Sequence, residues 1–158
     1  MATMGMATAP APINQPAHDA QRLAAEQKLI SAAKWFYWIA GLSLVNAGLI
    51  ISGANLRFLI GMGIIDRVAG QTSQSGGSGM VGTIFVTAFV TGICALLGSL
   101  ALKKYAWVFW VGMALYALDG LLVFTAGDFL SVAFHAFVLF CLLQGPVALK
   151  QLKEMGAN

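Results

Sequence analysis

The sequence has little charge for its length. Only 9% of its 158 residues are Asp, Glu, Lys or Arg, whereas soluble domains carry about 25%. Hydrophobic residues make up 59%, and the mean hydropathy is +0.80. One small soluble domain cannot hide that much apolar surface from water, but a bilayer can surround it. The shortage of charge therefore predicts an all-α integral membrane protein in contact with the lipid bilayer.

The common catalytic and nucleotide-binding motifs are also lacking. No GxSxG, HExxH, Walker or GxGxxG motif stands in a suitable strand-to-helix context. The two cysteines, Cys94 and Cys141, fall in apolar stretches without the spacing of metal ligands. The sequence predicts no catalytic residue and no metal site, and it identifies no cofactor. The net charge of +3 does not indicate nucleic-acid binding, because the basic residues flank apolar runs.

What the chain does have is four apolar stretches, each close to the roughly 20 residues that a helix needs to cross a bilayer core of about 30 Å. They predict a four-helix bundle over 35–149, with spans at 35–56, 80–102, 105–126 and 129–149. The links at 103–104 and 127–128 are long enough only for antiparallel hairpins. We therefore expect the last three spans to alternate in direction.

The segments outside the spans differ in composition. Pro10, Pro12 and Pro16 interrupt any helix near the start, which predicts a disordered tail over 1–17. Residues 18–34 mix helix formers, charges and aliphatic side chains, as expected of a cytoplasmic interfacial helix. We predict an amphipathic segment on the outer interface at 57–70 and a flexible Gly/Ser loop at 71–79. Residues 150–158 are predicted to form a cytoplasmic tail.

Basic residues predict the orientation. One side of the membrane would hold seven of them: Arg22, Lys28, Lys34, Lys103, Lys104, Lys150 and Lys153. The other side would hold only Arg57 and Arg67. By the positive-inside rule, we expect both termini of this multi-pass protein to be cytoplasmic. The four tryptophans would anchor the cytoplasmic interface: Trp35, Trp38, Trp107 and Trp110.

Asp119 is the most costly residue to insert, since a carboxylate near the middle of a span costs about 2.5–3.5 kcal/mol on insertion scales. Asp119 lies nine residues before Asp128, and His135 lies seven residues after Asp128. The hairpin therefore places Asp119 and His135 at similar depth in the membrane. Tyr116 shares a helix face with Asp119. Together with Asn46 in the first span, these residues form a candidate intramembrane polar cluster.

Two interpretations of this cluster remain open. Asp119 and His135 could form a buried acid–imidazole pair that relays protons or binds a polar ligand. Alternatively, the two side chains could pair with each other, or with Asn46, only to fix the register of the helices. Asp119→Asn distinguishes these two interpretations. The variant should fold normally if Asp119 carries a proton or acts in catalysis, whereas loss of the folded protein would support a structural role.

Three runs, WFYWIAGLSLVN, LIGMGIID and LYALDGLLVFTAGDFLSVAFHAF, resemble a group of small uncharacterised bacterial proteins with four transmembrane helices. The resemblance covers the spans and not the tail. It implies an inner-membrane location and no assigned activity.

Two classes of function follow. The leading hypothesis is a non-enzymatic small subunit or binding partner of a membrane assembly, because soluble catalytic machinery is absent. The alternative is a small transporter or proton-linked membrane enzyme that uses the Asp119 and His135 pair. Small residues four apart, at Gly48 and Ser52 and at Ala88 and Gly92, fit packing within the bundle and contacts in a homo-oligomer equally well.

Overall fold

The protein folds as a set of long α-helices. The computed structural model describes residues 15–52, 77–125 and 127–156, and this part of the chain contains four helices and no strand. The helices are α1, Gln15–Ile51; α2, Gly77–Leu102; α3, Ala106–Thr125; and α4, Phe129–Glu154. The predicted all-α class is confirmed.

Three of these helices are long and apolar enough to cross a membrane. They cover Val81–Leu102, Ala106–Thr125 and Phe129–Glu154. This finding indicates a membrane protein, as the composition predicts. The first predicted span, 35–56, is not among the three, and its last residues lie outside the described part of the chain.

Helix α1 is longer than a membrane span requires. Its 37 residues extend over about 55 Å. The sequence interpretation divides this stretch at Lys34, into an interfacial helix and a span, whereas the helix passes through Lys34 without a break. Residues 18–34 contain no glycine or proline to end a helix, and Ala25 and Leu29 are buried in the core.

Other predicted segments lie wholly or partly beyond what the structure describes. The amphipathic segment 57–70 is outside the described residues, as is most of the loop predicted at 71–79, whose last three residues belong to α2. The last three residues of the predicted tail over 1–17 belong to α1, and the others are outside the described part.

Two tight turns join α2 to α3 and α3 to α4. At the first turn, the Tyr105 amide donates to the Leu100 carbonyl and the Lys104 amide to the Ala101 carbonyl, which is a Schellman motif with Lys104 at φ +66°. The second turn contains Gly127 at φ +78°, followed by Asp128 as the N-cap of α4. We call the two ends of the bundle the Lys103 end and the Asp128 end after these turns.

The four helices are not packed equally tightly. Helix α1 packs extensively on α2 and α4, and α3 packs on α4, whereas α2 and α3 touch much less. The seam between α2 and α3 is therefore the most open of these interfaces.

The interior is divided by chemistry along the helix axes. In the described residues, every buried polar or charged side chain lies in the half nearer the Asp128 end: Ser43, Asn46, Thr83, Thr87, Asp119, Ser131 and His135. The other half is filled by apolar side chains, including Leu29, Ala33, Leu97, Ala101, Val108, Leu142, Ala148 and Leu152. The buried polar side chains of the described residues are therefore concentrated toward one end of the bundle.

Two buried phenylalanine rings pack together in the apolar half of the interior. The rings of Phe36 and Phe109 lie 5.9 Å apart, and both are buried. Phe36 lies against Gly112 and Phe109 against Gly145, and a Cβ at either glycine would overlap the ring. The glycines let three helices approach one another closely at these rings.

Candidate functional site

The candidate site is a pair of buried ionisable side chains on neighbouring helices. Asp119 of α3 and His135 of α4 face each other, with Nε2 of the imidazole 3.0 Å from Oδ2 of the carboxyl group. Their side chains are only 5% and 3% exposed. The structure thus brings together the two residues that counting along the hairpin places at one depth.

A second hydrogen bond sets the protonation of His135. Nδ1 of the ring lies 2.7 Å from the carbonyl oxygen of Ser131, one helical turn earlier. A carbonyl oxygen can only accept, so Nδ1 must carry a hydrogen. In a neutral imidazole only one nitrogen is protonated, so Nε2 carries a hydrogen only when the ring is a cation.

It follows that the pair holds one shared proton. The bond between Nε2 and Oδ2 needs one hydrogen, which belongs either to an imidazolium beside a carboxylate or to a carboxylic acid beside a neutral imidazole. Both forms have zero net charge. Loss of this proton would leave a carboxylate facing the lone pair of Nε2 in a buried site, which is strongly unfavourable. The two side chains are therefore joined by this one proton.

Two residues of α3 shape the space around the imidazole. Tyr116 stacks on His135, with ring centroids 4.4 Å apart and an interplanar angle of 17°. Gly120 lies beneath the same side chain, where a Cβ would come within 3.2 Å of His135 Cβ. The stack and the close helix approach fix the orientation of the ring toward Asp119.

The first turn of α4 connects the site to the Asp128 end. Asp128 accepts hydrogen bonds from the Ser131 amide at 3.1 Å and from the Ser131 hydroxyl at 2.6 Å. These bonds hold the pKa of the Asp128 carboxyl below its ordinary value. The sequence reasoning treats Asp128 only as a link residue, although an Asp just before an apolar helix is a typical N-cap signal.

Asn46, the fourth member of the predicted cluster, is fully buried on α1 in the same half of the bundle as the pair. Ser43 is buried one turn earlier on α1. The hydroxyls of Ser43, Thr87 and Thr91 have no hydrogen-bond partner in the described part of the chain. Buried hydroxyls usually have partners, so this half of the interior can accept further polar atoms.

A cavity of about 290 Å³ lies in the seam between α2 and α3. Asp119 and Tyr116 contribute to its wall, together with Cys94 of α2. The rest of the lining is apolar: Phe36, Ile39, Phe89, Val90, Ile93, Leu97, Gly112, Leu115, Leu118 and Leu122. Sequence reasoning misses this cavity and the place of Cys94 in it, because both depend on the lateral gap between two helices.

Trp107 and Trp110 lie near the start of α3, at the Lys103 end. Trp38, Trp107 and Trp110 are exposed on the outside of the bundle, whereas Trp35 is half-buried and packs edge-on against Phe137 at 5.5 Å.

The described residues contain no group of three or more His, Cys, Asp or Glu side chains that could hold a metal ion.

No protein-family model, curated protein or solved structure matches this chain. The fold and the site therefore define the class: an α-helical protein with three helices able to cross a membrane and a buried pair of ionisable residues.

Proposed function

We propose that this chain is a four-span protein of a bacterial inner membrane that binds a small ligand at the Asp119 and His135 pair and exchanges one proton there. The observation that carries the proposal is the bond from His135 Nδ1 to the Ser131 carbonyl, since it requires a shared proton between the two side chains. Of the two hypotheses raised by the sequence, the geometry favours the proton-linked one, with no reaction assigned.

The closed half of the interior supports binding from one side rather than conduction across the membrane. Phe36 and Phe109 fill the interior toward the Lys103 end, and each lies against a glycine. An ion or substrate that passed through would have to displace both rings. We therefore favour a binding site over a pore or channel.

A fourth span in α1 agrees with the arrangement of its neighbours. From about Trp35 onward, α1 packs beside α2 and α4, two helices that can cross a membrane. Trp107 and Trp110 are exposed at the start of α3, as suits a membrane interface. With the Lys103 end cytoplasmic, residues 15–34 extend out of the bilayer alongside the end of α4.

The experiment is a titration of the pair in a bilayer. Protein with ¹³C-labelled aspartate and ¹⁵N-labelled histidine is placed in liposomes, and infrared and NMR spectra are recorded across the pH range. The carboxyl band of Asp119 and the ring signals of His135 should change together, with Nδ1 protonated throughout.

Two variants complete this experiment. In Asp119→Asn, the imidazole of His135 should stay neutral, with Nδ1 protonated, across the pH range in which the wild-type pair exchanges its proton. Asp128→Asn is the matched control, since it removes a carboxylate seven residues from His135 without touching the pair. Independent titration of the two groups, or an unprotonated Nδ1, would refute the proposal.

A second candidate function, a small subunit of a membrane assembly or of a homo-oligomer, is favoured by the outer surface of α1. Gly41 and Gly48 are seven residues apart on an exposed face, with no atom near the position of a Cβ. Gly92 on α2 is exposed in the same way. Such faces allow close approach of another helix. Crosslinking in native membranes tests this candidate: a stable partner lost in Gly48→Leu supports it, and an uncrosslinked chain contradicts it.

A further inference from the structure

We propose that the cavity between α2 and α3 binds an uncharged amphiphile from the bilayer, which has an apolar body and one hydroxyl head that donates a hydrogen bond to Asp119. The inference deepens the proposed function, because it names the class of ligand that reaches the shared proton. It depends on three observations: the position of the opening, the location of the polar groups, and the absence of net charge in the wall of the cavity.

The opening lies on the surface that lipid would cover. Phe89 of α2 and Leu118 of α3 line the cavity and are 70% and 60% exposed. Both helices are able to cross a membrane, and they contact each other much less than α1 contacts α2 or α4. A molecule dissolved in the bilayer can therefore enter between the two helices without passing through water.

Polar groups occupy only a small part of the wall. Asp119, Tyr116 and Cys94 form this part, and Asp119 is also a member of the buried pair. A carboxyl group has about four lone-pair positions, so the oxygens of Asp119 can accept a hydrogen bond from a ligand hydroxyl in addition to the bond with His135. This arrangement suits a ligand whose hydrogen-bonding group is at one end and whose remaining surface is apolar.

The electrostatics favour an uncharged head group. The pair has zero net charge, and no Lys or Arg is among the lining residues. A charged head would lose its hydration without gaining an opposite charge, which costs several kcal/mol. The volume of about 290 Å³ corresponds to roughly ten water-sized groups, enough for a ring or a short stretch of chain.

The experiment is photo-crosslinking of the full chain in liposomes with a long-chain alcohol that carries a diazirine and an alkyne. We expect mass spectrometry to find label concentrated on the cavity walls, at positions such as Ile93 and Leu115. Unlabelled hexadecanol should compete at least about fivefold better than hexadecane, since one hydrogen bond contributes about 1 kcal/mol.

Two variants on α3 provide a matched comparison. Leu115→Trp places a large ring in the cavity and should reduce the labelling at least tenfold. Leu121→Trp adds the same ring to the same helix at an exposed position outside the cavity, and the labelling should not change. Equal elution of both variants as folded protein in detergent shows that the comparison concerns binding.

Three results would overturn the inference. Label spread evenly over the exposed apolar surface, including Phe140 of α4, would mean ordinary solvation by lipid. Equal competition by hexadecane would remove the role of the head group, and stronger competition by hexadecylammonium or palmitate would contradict an uncharged ligand. The proposed function fails separately, if the spectra show that Asp119 and His135 titrate independently while the cavity is still labelled.

Discussion

At the scale of single residues, the hydrogen bonds of His135 decide what its partner can be. Nδ1 is fixed as a donor by the Ser131 carbonyl, so Nε2 of the neutral ring is an acceptor. An amide at position 119 can donate to it, and an aliphatic side chain cannot. Substitutions of Asp119 should therefore differ in stability according to whether they supply a donor.

We expect Asp119→Leu to lower the free energy of unfolding by about 1–3 kcal/mol, because it leaves a buried imidazole nitrogen without a partner. Asp119→Asn should cost less, since its amide can donate to Nε2. Thermal unfolding of both variants in detergent measures the difference. Equal losses would show that the shape of the side chain matters rather than its hydrogen bond.

The close approach of Phe109 to Gly145 gives a second prediction at this scale. Gly145→Ala should destabilise the protein by about 1–3 kcal/mol, because the new methyl group overlaps a buried ring. Gly48→Ala is the control, since nothing lies near its Cβ position and alanine is the better helix former. Addition of Phe109→Leu to Gly145→Ala should restore part of the loss. An unchanged melting temperature in Gly145→Ala would contradict the packing.

At the scale of helices and turns, Asp128 links the acid stability of the protein to the start of α4. Its pKa is lowered in the folded state by the two bonds from Ser131, so its contribution is present at neutral pH and is lost as the pH falls below about 4. Asp128→Asn keeps a capping oxygen but does not titrate, so its stability should fall less in this acid range. Unfolding in detergent from pH 7 to pH 3 compares the two proteins, and parallel curves would exclude this role.

The turns give a pair of opposite expectations. Lys104 adopts a positive φ that glycine accepts without strain, so Lys104→Gly should stabilise the protein by about 1 kcal/mol. Gly127 has the same kind of backbone, and Gly127→Ala should destabilise it by a similar amount. Thermal unfolding checks both, and shifts of the same sign would be inconsistent with the two turn conformations.

The helices show what sequence can and cannot predict. The apolar runs that predict the last three spans overlap α2, α3 and α4, because length and hydropathy alone define a helix that can cross a membrane. The continuity of α1 through Lys34 does not follow from composition, since charge marks an interface but does not end a helix. The pairing of Asp119 with His135 follows from hairpin geometry, whereas the cavity beside Asp119 depends on how far α2 stands from α3.

At the scale of the whole molecule, the proposed topology can be tested directly. A reporter that is active only in the cytoplasm, fused after Asn158, should be active in cells, whereas an enzyme that works only outside the cytoplasm should be inactive there. Replacement of Lys103 and Lys104 by Gln should weaken this preference, because basic residues near span ends retain them on the cytoplasmic side. An external C-terminus would overturn the arrangement of the spans.

The neutrality of the Asp119 and His135 pair has a consequence for energised membranes. A transmembrane voltage acts on net charge, at about 2.3 kcal/mol per elementary charge for 100 mV across the full bilayer. A proton that moves between two atoms 3.0 Å apart crosses only a small fraction of that field. Binding of an uncharged ligand beside the neutral pair should thus be nearly the same in respiring and in depolarised cells.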